Sequence, residues 1–261
     1  MTADSRAGIG YPRAAAFTLI ELLVVIAIMA LMTALAVPLF NTIAGSQGLD
    51  AATGELEHLL EQARSYAMGK NTYVYVGIEE IDAAQQGPGP SQTATAGVGR
   101  LVVGIVSSQD GSSGYDSNAS GNPIWSNYND GADLSAVSRV QTFSNVHLAD
   151  LSSSMNGGMQ RPSVTVGYNL GNNSCQSVTP VAWPPGRSLN SGQYNFTKVI
   201  QFDPQGSARV IVAGNGSALP QWIEIGLQPT HGNALPASLT QGNQAALQIN
   251  GVNGAVRIYR P

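Results

Sequence analysis

An apolar run of 24 residues, FTLIELLVVIAIMALMTALAVPLF over positions 17–40, constrains this chain more than any other feature. It carries one charge, Glu21, and one helix breaker, Pro38. At about 1.5 Å per residue, a helix of that length spans a bilayer core of about 30 Å. A secretory signal peptide has a shorter apolar core, roughly 7–15 residues, ending in a small-residue cleavage site, and this run has no such boundary. The 16 residues before it hold Arg6, Arg13 and the terminal amine against Asp4. The positive-inside rule therefore predicts a cytoplasmic N-terminus, a single pass through the inner membrane, and a periplasmic or extracellular C-terminal domain.

Glu21 is the anomaly, because an acid inside a spanning helix costs about 2.5–3.5 kcal/mol on insertion scales and normally has a partner. No cation lies within the run. A cut before Phe17 would supply one, as a new amino terminus one helical turn away or on a neighbouring helix. The ordered string from Phe17 to Ile28, FTLIELLVVIAI, resembles the cleavage and methylation segment of type IV pilins and type II secretion pseudopilins. That resemblance implies a prepilin peptidase cutting between Ala16 and Phe17, N-methylation of Phe17, and pairing of Glu21 with the Phe17 amine of the adjacent subunit to set register. It also implies a helix-bending role for Pro38. The family prefers glycine before the cut, where this chain has Ala16. The alternative without cleavage is a signal anchor in which Glu21 snorkels or stays protonated.

Beyond Pro38, Gly45 and Gly48 weaken the helix and predict a local bend or melted turn. Leu49, Ala52, Leu56, Leu59, Ala63 and Tyr66 then recur at spacings of three and four, an amphipathic helix ending near residues 69–71. Alternating segments predict strands at 71–78, 100–107, 139–148, 163–169, 196–202, 208–213, 221–227, 245–250 and 255–259. Asp203-Pro204-Gln205-Gly206 and Asn253-Gly254 read as turns. The biased stretches 83–99, 107–122 and 152–160 read as exposed loops. The expected fold is α+β and pilin-like, a long N-terminal helix, transmembrane then amphipathic, packed on an antiparallel β-sheet domain. Its divisions are a leader at 1–16, an assembly helix at 17–40, its continuation at 41–70, and a β-rich domain at 71–261.

The later segments narrow the resemblance. Residues 56–76, LEHLLEQARSYAMGKNTYVYV, are similar to the helix end and first strand of the minor pseudopilins called GspH and FimT. Phe202-Asp203-Pro204-Gln205-Gly206 is similar to their Phe-x-Pro-x-Gly turn, and residues 249–260 to their closing Gly-x-Val-Arg strand. The pilin-like family known as Verru-Chthon cassette protein D has a similar N-terminal half.

Reaction chemistry finds no support in the residue pattern. His58, His147 and His231 fit no metal spacing, and neither a nucleophile elbow nor a phosphate loop is present. Two Asx-rich loops, 110–118 and 127–133, offer oxygen ligands but not the calcium-loop order. Cys175 is the single cysteine, read as inert. Trp222 reads as core, and Trp125, Tyr128 and Trp183 as residues packed under loops. No catalytic residue, cofactor or metal is assigned. Charged residues are only 11% of the chain and the net charge is -4, which disfavours a broad nucleic-acid surface. Arg257 and Arg260, with Arg209 and Lys198, are the candidates for a small basic patch. The expected function is a structural minor pilin or pseudopilin, not an enzyme, whose partners are other pilin subunits, the prepilin peptidase/methyltransferase and, before assembly, inner-membrane lipid. The alternative is a displayed binding module for DNA, carbohydrate or a secreted substrate.

Overall fold

The structure, a computed structural model, describes residues 18–85, 94–113, 134–151, 159–162, 167–172, 175, 181–183, 194–212, 219–235 and 243–261, with the side chains of 34–47 and 181–183 outside that description. The chain divides into two compact units, Met1–Ile43 and Ala44–Pro261. Helix α1 (Leu19–Lys70) contributes to both, and its backbone is helical through Gly45 and Gly48 where a bend is expected.

In the first unit the described side chains of α1, apolar apart from Glu21 and Thr33, are exposed, Leu19 at 81% and Met32 at 67%. The expectation of a transmembrane helix is corrected: among the described residues no helix is long and apolar enough to cross a membrane. Residues 48–70 of the same helix carry Asp50, Glu55, Glu57, Glu61, Arg64 and Lys70, too many charges for a hydrocarbon core. The single-pass inner-membrane location loses its support for the same reason.

In the second unit, α1 buries Leu49, Ala52, Leu56, Leu59, Leu60, Ala63 and Ala67 in one core with both main sheets. Asn71, at φ 52°, ends the helix in the left-handed conformation, and the Thr72 amide donates to the Ala67 carbonyl at 3.1 Å. This closure suits asparagine and turns the chain sharply into the first strand.

One sheet has the order β10 (Ala208–Val210), β9 (Lys198–Phe202), β1 (Val74–Asp82), β2 (Gly99–Ser108), β3 (Leu134–Ala136), with β4 (Gln141–Ser144) also on β2. The other runs β13 (Val256–Tyr259), β12 (Ala245–Asn250), β11 (Trp222–Pro229), β5 (Val146–Ala149), with β6 (Gly167–Asn169) also on β11. A hairpin of β7 (Val181–Trp183) and β8 (Tyr194–Phe196) forms a third pairing. The expected antiparallel sheet is corrected here as well: there are two principal sheets, and β6 runs parallel to β11.

The separation of sheets turns on Asn145. The predicted strand 139–148 is broken there at φ 61°, so β4 pairs with β2 while β5 pairs with β11 in the other sheet. His147 on β5 and Glu80 on β1 then tie the sheets together. The Glu80 carboxylate lies 2.8 Å from His147 Nδ1 and accepts the Gly99 amide at 2.9 Å.

Two turns distant in sequence meet beside α1. The Gly206 amide donates to the Asp203 carbonyl at 2.9 Å, and the Asp203 carboxylate accepts the Gln205 and Ser207 amides. Gly254, at φ 65°, is held by its amide on the Asn250 carbonyl. A Cβ on Gly254 would collide with the Gly206 carbonyl oxygen and press on Arg64 Cδ. Left-handed strain and that collision together predict that Gly254→Ala costs about 2–3 kcal/mol, read as a lower denaturation midpoint at unchanged m-value. An unchanged midpoint would show that the two turns do not touch in solution.

Of the loop expectations, residues 86–93, 114–133 and 152–158 lie outside the described residues. Ser108, expected in a loop, is buried in β2, and so is Ser107, which the sequence places at the end of that strand and the start of the loop.

Candidate N-terminal processing and assembly site

Thr18 and Glu21 build the start of α1. The Thr18 hydroxyl accepts the Glu21 amide at 3.3 Å, while Glu21 Oε2 accepts the Thr18 amide at 2.9 Å and the Thr18 hydroxyl at 2.8 Å. This is the reciprocal capping arrangement of a Ser/Thr-x-x-Glu sequence, and it satisfies two of the amides that a helix start leaves unpaired. The Thr18 amide and then its hydroxyl hold the Glu21 carboxyl below the usual carboxylate range. Glu21 is exposed, and its charge sits at the positive end of the helix dipole. The acid that has no cation in the sequence thus has a backbone partner one turn before it. The signal was present in the spacing of Thr18 and Glu21, which a reading focused on charge alone passes over.

Ala16 and Phe17, the expected cleavage and methylation positions, lie outside the described residues. Pro38 lies within α1, with its side chain outside the description.

The four candidate basic residues fall on different sheets. Arg257 is exposed on β13, and Arg260 pairs with Asp50 of α1. Arg209 is on β10 and Lys198 on β9 of the other sheet. Burial pushes the Lys198 amine down from its ordinary value, against the pull of Glu79 and Glu80. Burial likewise pushes the Glu79 carboxyl up, opposed first by the Thr197 hydroxyl and amide that both donate to it.

Other expected features resolve individually. His58 is exposed on α1, His147 pairs with Glu80, and His231 lies in an exposed turn. Among the described residues no group of three His, Cys, Asp or Glu is placed to hold a metal. Asp110 is occupied by the hydroxyls of Ser108 and Ser112 at 2.7 and 2.8 Å, and these bonds, with the Ser112 amide, lower its pKa. Residues 127–133, with Trp125 and Tyr128, lie outside the described residues. Trp222, expected in the core, is only half-buried, because alternation along β11 sends Ile223, Ile225 and Leu227 to the helix side and Trp222 to the other. Cys175 is buried.

The polar group that sequence reasoning misses is on that other face of β11. Glu224, fully buried, accepts two bonds from Arg161, from Nε at 2.6 Å and from an Nη at 2.9 Å. Gln248 on β12 donates to the same carboxylate at 2.8 Å. Arg161 lies 63 positions from Glu224, so no local pattern announces the pair.

Residues 11–37 of the chain match the family model described as the prokaryotic N-terminal methylation motif. No curated protein and no solved structure matches the chain. The motif points to a prepilin-type peptidase and methyltransferase as processing partners. The chain carries a short N-terminal motif resembling the prokaryotic methylation, prepilin-type signature, without a match to a full-length pilin family.

Proposed function

We propose that this chain is a minor pilin or pseudopilin subunit, cut between Ala16 and Phe17, methylated on the Phe17 amine, and assembled through its N-terminal helix. Its work in this reading is assembly, not catalysis. The observation that carries the reading is the exposed arm of α1, apolar but for Glu21 and Thr33, that lies within the processing motif. Such an arm needs cover, and equivalent arms of neighbouring subunits supply it. Such packing is heterologous, each subunit offering one face and receiving another, and it propagates rather than closes. Glu21 in this arrangement accepts the Phe17 amine of the next subunit, and the capping bonds to Thr18 hold its carboxylate at the helix start until that amine arrives.

Mass spectrometry of the N-terminal peptide from cells with and without a prepilin peptidase tests the processing step. The expected peptide begins at Phe17 and is heavier by one methyl group, and it disappears without the peptidase. Retention of residues 1–16 in both cells would overturn the proposal.

A further inference from the structure

A cleft of about 630 Å³ opens where α1 ends and β2 leaves its sheet. That volume lies within the range of about 300–1,000 Å³ typical of small-molecule sites. Its lining is unusual for such a site, being almost entirely hydroxyl, amide and charged groups. Tyr66, Lys70 and Asn71 come from the helix end, and Ser107, Asp110 and Ser135 from β2, its following turn and β3. Asn71, in the left-handed conformation that ends α1, is among the lining residues.

The state of these groups points to a ligand. The Tyr66 ring packs against the core, so the hydroxyl is what it brings to the cleft. Among the described residues the side chains of Tyr66, Lys70, Asn71, Ser107 and Ser135 form no hydrogen bond or ion pair with another part of the protein. Asp110 is already engaged by Ser108 and Ser112. The cleft therefore presents several uncommitted groups, three of them hydroxyls that both donate and accept. Its one ammonium and one carboxylate balance, which does not favour a phosphate chain. It lacks the exposed apolar wall that an aliphatic or aromatic ligand needs.

We propose that this cleft binds an uncharged glycan segment. Sugar hydroxyls each donate and accept, as the lining does, and their hydration is similar to that of the water they displace. The site is open, so affinity is modest. It belongs to the second unit and is independent of N-terminal processing.

The test titrates the full chain, held in a detergent without a sugar headgroup, with maltohexaose, cellohexaose and chitohexaose, following binding by NMR shifts or calorimetry. At least one oligosaccharide is expected to bind saturably. Tyr66→Phe and Ser135→Ala are each expected to weaken it about five-fold, the loss typical of one hydrogen bond. His231→Ala, in the exposed turn that packs beside Gly99 at the far end of β2 from the cleft, is expected to leave it unchanged, and a thermal melt confirms that each variant is folded. No saturable binding at millimolar sugar, binding indifferent to both cleft substitutions, or binding of hexagalacturonate alone would overturn the proposal. The N-terminal mass is a separate readout, so either idea can fail without the other.

Discussion

Arg161→Met lowers the stability of the chain by about 3–5 kcal/mol, because it strands a fully buried carboxylate. For a domain of this size that is a fall in melting temperature of roughly 6–20 °C. The Arg161 guanidinium grips both oxygens of Glu224 and also donates to the Leu151 carbonyl at 3.1 Å, so it ties Leu151 to Glu224 on β11. Gln248 and, at 3.4 Å, Asn169 complete the carboxylate's partners but cannot neutralise it. The companion variant Arg161→Met with Glu224→Leu recovers at least half the loss, since a buried ion pair replaced by apolar groups is often close to neutral. The two melts are read together with chemical denaturation at pH 7. A loss below about 1 kcal/mol for Arg161→Met would mean that Glu224 is hydrated in solution and that Leu151 is not tied to β11 through this pair.

That pair also shows where the sequence stops being informative. The helix stripe through Leu49, Ala52, Leu56, Leu59 and Ala63 is legible because each residue answers to neighbours three or four positions away, and all five are buried. The strands around 245–250 and 255–259 are legible for a similar local reason: alternation sets their faces, and Asn253-Gly254 marks the turn between them. Asn145 is different. Nothing local separates a residue inside a strand from one at which the chain changes sheets, so 139–148 reads as continuous while β4 and β5 belong to different sheets. The three-residue strands β3 and β7 are too short to show alternation. The buried polar face of β11 is hidden because Glu224 occupies an alternating position that normally faces water, and its ionic partner, Arg161, belongs to no element read from the sequence.

The N-terminal site divides in the same way. The order FTLIE identifies the motif, and Thr18-x-x-Glu21 encodes a helix cap by spacing alone. Apolar length over positions 17–40 carries the expectation of a span across a bilayer. Among the described residues no helix is long and apolar enough to cross, and from residue 48 onward α1 carries Asp50, Glu55, Glu57, Glu61, Arg64 and Lys70.

Glu21→Gln is expected to reduce incorporation of the subunit into fibres by about ten- to a hundred-fold, the range for losing one charge-assisted hydrogen bond. Glutamine serves at the third helical position of a capping box almost as well as glutamate, so this variant retains the bonds with Thr18 and removes only the charge. Glu21→Ala removes both. If the carboxylate acts chiefly as a cap, glutamine behaves like the native residue and only alanine is impaired. If it pairs with the Phe17 amine of a neighbouring subunit, both variants fail alike, and processing at Ala16 and Phe17 continues in each. The measurement is the amount of each variant in sheared fibres relative to its total in the cell, with the N-terminal mass determined on the same samples. Native incorporation of Glu21→Gln would leave the Thr18 cap as the whole role of this acid and remove the charge pairing from the proposed assembly.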